Sequence, residues 1–252
     1  VKQLASGDKA VAVLNRGFGP IDADLTAEQL KFRKDAPVTL TDLWSKEQST
    51  FTNETKVRVA PRETKIFRVH GTRALAQGIY LSEQPGSVNP AVDGVTTPQA
   101  DPTVFRSSNG WTGSKGPGER PMYAGWGGAR ADSTPYNQVL QIGGKQFTAG
   151  IGILANSRLE VRNHGYGRLS TQVGVDDSAH DRTHAVTFMV YGDGKLLAKS
   201  KAMRWGQAAQ ALTVDVAGVK VIELVARSTG GDNGMLPVTW GEAALLGTGK
   251  SD

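Results

Sequence analysis

Period-two alternation and short apolar runs recur along the whole of this 252-residue chain, and almost nothing repeats at the helical period. Successive side chains of a strand point to opposite faces, so this pattern commits a chain to sheets. Ala10-Val11-Ala12-Val13-Leu14 is a continuous apolar run and predicts a strand covered on both faces. Val38 to Thr41, Lys56 to Val59 and Lys65 to Val69 supply further strands. The one helix-like signal here is Asp24 to Phe32, where Thr26 and Gln29 form a weak capping box. It predicts one or two helical turns, or a loop. Residues 1–70 thus read as a small antiparallel β-sandwich, and 71–79, bracketed by Gly71 and Gly78, as a linker.

From Tyr80 to about Asn137 the pattern is irregular, with Trp111, Tyr123, Trp126 and Tyr136 set among glycine, proline, serine and asparagine. So long a loop with two tryptophans reads as an ordered functional loop rather than a spacer. Strands return after Val139. Leu159 to Arg162, Leu169 to Val175 and Val186 to Val190 alternate, and Asp193-Gly194 signals a tight hairpin into Lys195-Leu196-Leu197. Leu212 to Val216, a turn at Gly218 and Val219 to Val225 predict a second hairpin. Residues 80–252 therefore read as a second all-β domain, a jelly-roll sandwich.

Composition narrows the partners. The content is 38% hydrophobic and 21% charged, ordinary for a globular chain. No stretch approaches the roughly 18 apolar residues of a membrane helix, so no membrane partner is expected. Net charge is +5, yet Lys and Arg are scattered without a basic run or helix, which argues against nucleic acid. Cysteine is absent, removing disulfides and thiolate chemistry. The chain begins at Val1, which predicts that a leader or a larger N-terminal portion has been removed.

Two stretches resemble known modules. Leu4 to Arg16, Thr41-Asp42-Leu43-Trp44 and Val59-Ala60-Pro61-Arg62-Glu63-Thr64-Lys65-Ile66-Phe67 resemble, in order, the C-terminal β-domain of glycoside hydrolase family 27. That family contains α-galactosidases, α-N-acetylgalactosaminidases and β-L-arabinopyranosidases. Roughly residues 79–246 resemble the NPCBM domain, carbohydrate-binding module family 51. The matching stretches are Tyr80-Leu81-Ser82, Asn109-Gly110-Trp111, Ile142-Gly143-Gly144-Lys145-Gln146-Phe147 and Gly150-Ile151-Gly152. Further along they are Val173-Gly174-Val175-Asp176-Asp177, Phe188 to Gly194, Val216-Ala217-Gly218-Val219 and Trp240-Gly241-Glu242-Ala243. The family commonly has histidine-alanine after Gly-x-Gly, where this chain has Leu154-Ala155. It often has aspartate and histidine before its final tryptophan, where Leu236-Pro237-Val238-Thr239 stand here.

The resemblances imply a galactose-binding-like jelly roll and the non-catalytic part of a secreted, extracellular α-galactosidase-like hydrolase. Its catalytic carboxylates would lie on an N-terminal (β/α)₈ barrel, which needs about 250 residues and has no counterpart here. The implied partner is a galactose-containing oligosaccharide or polysaccharide. The rival reading is a pair of purely structural β-domains that stabilise the hydrolase or its oligomer.

Sugar binding needs an aromatic face under the ring's C–H groups and planar polar side chains for its hydroxyls. Asn109, Trp111, Glu119, Arg120 and Trp126 offer both, as do Asp232 and Asn233 ahead of Trp240. Trp44 and Trp240 read as core, Trp111 equally as core or as a sugar platform, and Trp205, beside Arg204, as a weaker sugar candidate. His180-Asp181-Arg182-Thr183-His184 lacks a third metal ligand and reads as a polar hairpin loop. No cofactor is expected beyond a structural calcium ion, for which Asp176 and Asp177 are weak candidates. Being adjacent, they cannot form a facing catalytic pair on a continuous strand; alternatively they end a strand or cap a turn.

Overall fold

The computed structural model describes residues 1–4, 6–84, 88–90, 129–229 and 236–247. The chain divides into two compact units, Val1–Ala76 and Gln77–Asp252. Residues 71–79 span the boundary between the two units, and both of their ends are paired. Arg73 bridges Phe32, and Gly78 and Ile79 pair with the last strand of the second unit. The bracketing glycines mark close packing instead. A Cβ on Gly71 would stand 2.9 Å from the Phe32 ring, and one on Gly78 would stand 2.5 Å from the Leu245 carbonyl.

The first unit contains β1 Lys2–Gln3, β2 Lys9–Leu14, β3 Ile21–Thr26, β4 Pro37–Asp42, β5 Gln48–Thr52, β6 Glu54–Val59 and β7 Thr64–Gly71. An antiparallel sheet in the order β1-β2-β7-β4-β5 packs on the pair β3-β6. Val11, Val38, Leu40 and Val69 of the sheet meet Leu25, Val57 and Val59 of the pair in one core. Strand β2 is covered on one face only: Val11 is buried, whereas Ala12 and Leu14 are exposed. The unit has two layers, and the apolar run faces outward wherever no third layer exists.

Asp24 to Phe32 is not a helix. Its first three residues belong to β3, and a single turn follows. The capping pair is real nonetheless: Gln29 Oε1 accepts from Thr26 N–H and Thr26 Oγ1 from Gln29 N–H, both at 3.1 Å. The pair organises one turn, which delivers Ala27, Leu30 and Phe32 into the core.

The second unit begins with β8 Gly78–Tyr80, a 3₁₀ turn Leu81–Glu83, β9 Val88–Pro90, β10 Arg130–Ala131, β11 Leu140–Ile142 and β12 Lys145–Phe147. It continues with β13 Gly150–Leu154, β14 Ser157–Arg162, β15 Arg168–Val175, β16 Val186–Gly192 and β17 Lys195–Lys199. The last three strands are β18 Gln210–Asp215, β19 Val221–Ser228 and β20 Pro237–Leu246. One sheet runs β10-β13-β20-β15-β18, with β8 beside β20; the other runs β17-β16-β19-β14-β9. Between them lies a core of alternate residues, including Ile153, Val173, Val214 and Val238 facing Leu159, Phe188 and Leu224. Trp240 is fully buried there, its ring edge-on to Phe188 at 5.2 Å between centroids.

Asp193 and Gly194, both at positive φ, form the expected tight turn between β16 and β17. Gly218, by contrast, is no hairpin turn. β18 pairs with β15 in one sheet and β19 with β14 and β16 in the other, so the chain crosses between the sheets there. A turn residue between two alternating runs looks the same in either case, and only distant partners decide.

The glycine-rich motifs gain a physical reading. The hairpin β11-β12 lies on the outward face of the first sheet, with Leu140, Ile142 and Phe147 buried beneath it. They rest where the sheet carries glycines. A Cβ on Gly174 would meet Ile142 Cγ2 at 2.4 Å, and one on Gly241 would meet the Phe147 ring at 2.6 Å. Glu242, at φ 49°, lies where the β15-β20 register shifts, which lets Trp240 and Ala243 both face the core. Gly174→Ala is expected to cost about 1–3 kcal/mol in urea denaturation by overpacking the hairpin. Gly167→Ala, which meets nothing within 4 Å, serves as the control and should stay within about 0.5 kcal/mol.

Candidate functional site

Strand pairing gathers a set of loops at one end of the second unit. Leu154 pairs with Pro237 and Val175 with Val238, while Ser157 pairs with Ala226 and Val186 with Ser228. The connections 155–156, 176–185, 200–209 and the one leaving Ser228 therefore open at the same end. Hydrogen bonds tie them together. Ala155 N–H donates to Leu236 O at 2.8 Å, Ser228 N–H to Asn156 Oδ1 at 2.9 Å and Thr229 N–H to Ala185 O at 2.9 Å.

Trp205 is the aromatic that the described residues place at this end. Its body packs partly on the core, and its Nε1–H donates to Asp177 O at 3.1 Å. The Arg182 guanidinium lies 4.0 Å from the ring centroid, a stacked cation–π pair. Arg204 donates to Thr183 O, joining the 176–185 loop to the turn that carries Trp205. The 180–184 stretch is a crossover between the two sheets rather than a hairpin loop, since β15 and β16 lie in different sheets. Sequence reasoning ranked Trp205 low because its partners, Asp177 and Arg182, are over twenty residues away and no local pattern links them.

Asp181 shapes the loop. It accepts from Thr183 N–H at 2.8 Å, Thr183 Oγ1–H at 2.9 Å and His184 N–H at 3.2 Å, and it pairs with the His184 ring. The Thr183 N–H foremost, then the His184 ring, hold its carboxyl well below the usual carboxylate range. A depressed folded pKa contributes stability above the ordinary value of 3.8, lost as pH falls beneath it. The Asp181 carboxyl carbon is thus expected to keep its ionised NMR shift as pH falls through 3.8, where an ordinary aspartate is half protonated.

Asp176 and Asp177 act as structural acceptors. Asp176 is buried, and Gln141 N–H, Thr239 Oγ1–H, Ser178 N–H and Ser178 Oγ–H all donate to it at 2.6–3.0 Å. Asp177 takes Gly143 N–H and Gly144 N–H, one on each oxygen at 2.8 Å. The two carboxylates thereby staple the β11-β12 hairpin to the sandwich, the turn-capping alternative. Four donors thus converge on the Asp176 carboxylate.

Asn109, Trp111, Glu119, Arg120, Trp126, Asp232 and Asn233 lie outside the described residues. The flanks of the segments that carry them are described. Pro90 pairs with Leu159 and Arg130 with Gly152, so the chain leaves β9 toward the loop end and returns from it. Thr229 and Leu236 flank the other segment at the same end. Of the remaining tryptophans, Trp240 is core as expected, whereas Trp44 is 71% exposed and is not. The unusual Leu154-Ala155 and Leu236 to Thr239 stretches are buried, so at these positions the chain has interior residues.

A small antiparallel sandwich joined to a galactose-binding-like jelly roll defines a chain of accessory β-modules. Residues 118–246 match the NPCBM/NEW2 domain, and the chain belongs to that family. Residues 1–69 match the α-galactosidase C-terminal β-sandwich domain. A putative endo-α-N-acetylgalactosaminidase of Renibacterium salmoninarum is 33% identical over 55% of this chain and 9% of its own length. Alpha-1,3-galactosidase B of Akkermansia muciniphila is 35% identical over 40% and 13%, and α-galactosidase A of Aspergillus niger 28% identical over 44% and 20%. The chain thus spans a fifth or less of these relatives. Among solved structures, CBM51-2 in complex with GlcNAc, with the INT domains, from Clostridium perfringens ZmpB covers 90% of this chain and 40% of its own. Its TM-score is 0.50 at 18% identity, a likeness of fold.

Proposed function

We propose that this chain is the non-catalytic, carbohydrate-binding portion of an extracellular α-galactosidase-like hydrolase, and that the loop end of the second unit holds the sugar. The observation that carries this reading is the gathering at one end of Trp205, Arg182 and the flanks of both candidate aromatic and amide segments. The family matches support a carbohydrate partner, and galactose-containing glycans are the proposed class. The first unit buttresses the catalytic domain, and the second tethers it to polysaccharide or glycan. Tethering raises effective concentration without adding catalytic contacts.

Calorimetric titration with galactose, N-acetylglucosamine and a glycan panel tests the reading. A member of the panel is expected to bind weakly, and Trp205→Ala is expected to weaken it by about tenfold, roughly 1.4 kcal/mol. A well-folded chain that binds no glycan would overturn it. A second reading, purely structural sandwiches, draws on the burial of Leu154, Ala155, Leu236 and Val238 at the loop end. It predicts that blank titration.

A further inference from the structure

The loop end of the second unit presents a cation whose donors are open. The 176–185 connection carries three carboxylates, those of Asp176, Asp177 and Asp181. Backbone N–H groups, the Ser178, Thr183 and Thr239 hydroxyls and the His184 ring take them up. Arg182, in the same connection, is exposed, and among the described residues it makes no hydrogen bond and no ion pair. Its partner there is the face of Trp205, 4.0 Å from the guanidinium carbon to the ring centroid.

That contact orients the group. Trp205 is itself fixed, half-buried against the core with its Nε1–H on Asp177 O at 3.1 Å. Asp177 in turn is held by the Gly143 and Gly144 N–H groups. A guanidinium seated over a ring face keeps its N–H edge clear of the ring, so the donor fork is formed before a ligand arrives. With Arg182 over that face, the fork rather than the indole meets the ligand, and Trp205 is the positioning residue. Arg204 donates to Thr183 O, which brings a second guanidinium to the residue after Arg182. Two like charges on one loop repel, and a bound anion offsets that repulsion.

We propose that the glycan held at this end carries an acidic group and that Arg182 grips it; the proposal rests on the reading above. The group is a carboxylate or a sulfate ester on a galactose-containing chain. Either offers two oxygens to parallel N–H donors, the bidentate pairing that a guanidinium favours and that is stronger than a neutral hydrogen bond. A sugar hydroxyl matches neither the fork nor the charge. Arg182 thus sets the specificity of the site for charged over neutral chains.

The test titrates the 252-residue chain at low salt with matched pairs: lactose against its sialylated and its sulfated forms, and galactose against galacturonic acid. An acidic member is expected to bind about tenfold more tightly than its neutral partner. Salt at about 0.5 M should erase most of that difference. In Arg182→Ala the ratio of acidic to neutral affinity is expected to fall to about one. In Arg182→Lys it should recover only in part, because an ammonium keeps the charge and lacks the fork. A preference confined to the carboxylates, or to the sulfate ester, supports the proposal and names the source of the anion. Equal affinity within every pair overturns it and leaves the proposed function standing. A preference that survives in Arg182→Ala also overturns it, since the anion is then held elsewhere. A well-folded chain that binds no glycan overturns the proposed function itself, and this proposal with it.

Discussion

Trp240→Ala is expected to destabilise the second unit by about 3–5 kcal/mol, the range for removing a fully buried aromatic. Trp240 has no exposed surface and meets Phe188 edge-on, so it joins the two sheets at the middle of their core. Its neighbours are strand residues held by ladders on both sides, which cannot close over the lost ring. Urea denaturation followed by circular dichroism reads the loss. Trp240→Phe should cost far less, because the indole Nε1–H has no acceptor among the described residues and its removal relieves a buried donor. Trp44→Ala, which deletes an exposed ring, should change stability in the same chain by no more than about 0.5 kcal/mol.

Arg158→Leu is expected to cost as much, about 3–5 kcal/mol, by a different route. On the outward face of the second sheet, Arg158 Nε–H donates to Glu223 Oε2 at 2.5 Å and its NH2 to Glu160 Oε1 at 2.6 Å. The Arg158 and Glu223 side chains have no exposed surface. Removing the guanidinium strands a buried carboxylate, and desolvating an unpaired charge outweighs the apolar gain. Replacing Arg158, Glu160 and Glu223 together by leucine should recover most of the loss, since buried ion clusters roughly break even against apolar packing. Denaturant midpoints for the single and triple variants separate the two effects. A single variant as stable as the parent would show that the buried Arg158–Glu223 pair contributes little to folding.

Strands with period-two apolar patterning were legible in the sequence, and so was the Asp193-Gly194 hairpin, because local backbone chemistry decides them. Strand β5 was not, since Gln48-Ser49-Thr50-Phe51-Thr52 is an edge with one partly buried apolar residue, held to β4 by its backbone ladder and the Thr39–Thr50 hydroxyl pair. The Gly218 crossover, the inter-sheet 180–184 loop and the glycine-paved bed of the β11-β12 hairpin depend on partners far along the chain. The adjacent carboxylates Asp176 and Asp177 read as a strand end, a turn cap or weak calcium candidates, and only the fold shows that N–H groups of the β11-β12 hairpin donate to them. At the loop end, stacking of Arg182 on Trp205 joins residues 182 and 205 without any spacing rule. Trp44 read as core because its motif is apolar, yet the turn fixed by Asp42 presents it outward.

The central claim is that the loop end of the second unit binds carbohydrate. Titration of the isotopically labelled chain with galactose and its oligosaccharides, followed by amide and indole NMR, tests it most directly. The account predicts shifts at the Trp205 Nε1–H, at Arg182 and Thr183 and at Ala155 and Thr229. It predicts none at the opposite end, where Asn163 bonds the Tyr166, Val216 and Val219 carbonyls at 2.9–3.0 Å. Shifts confined to that opposite end, or none with any glycan of the panel, would contradict it.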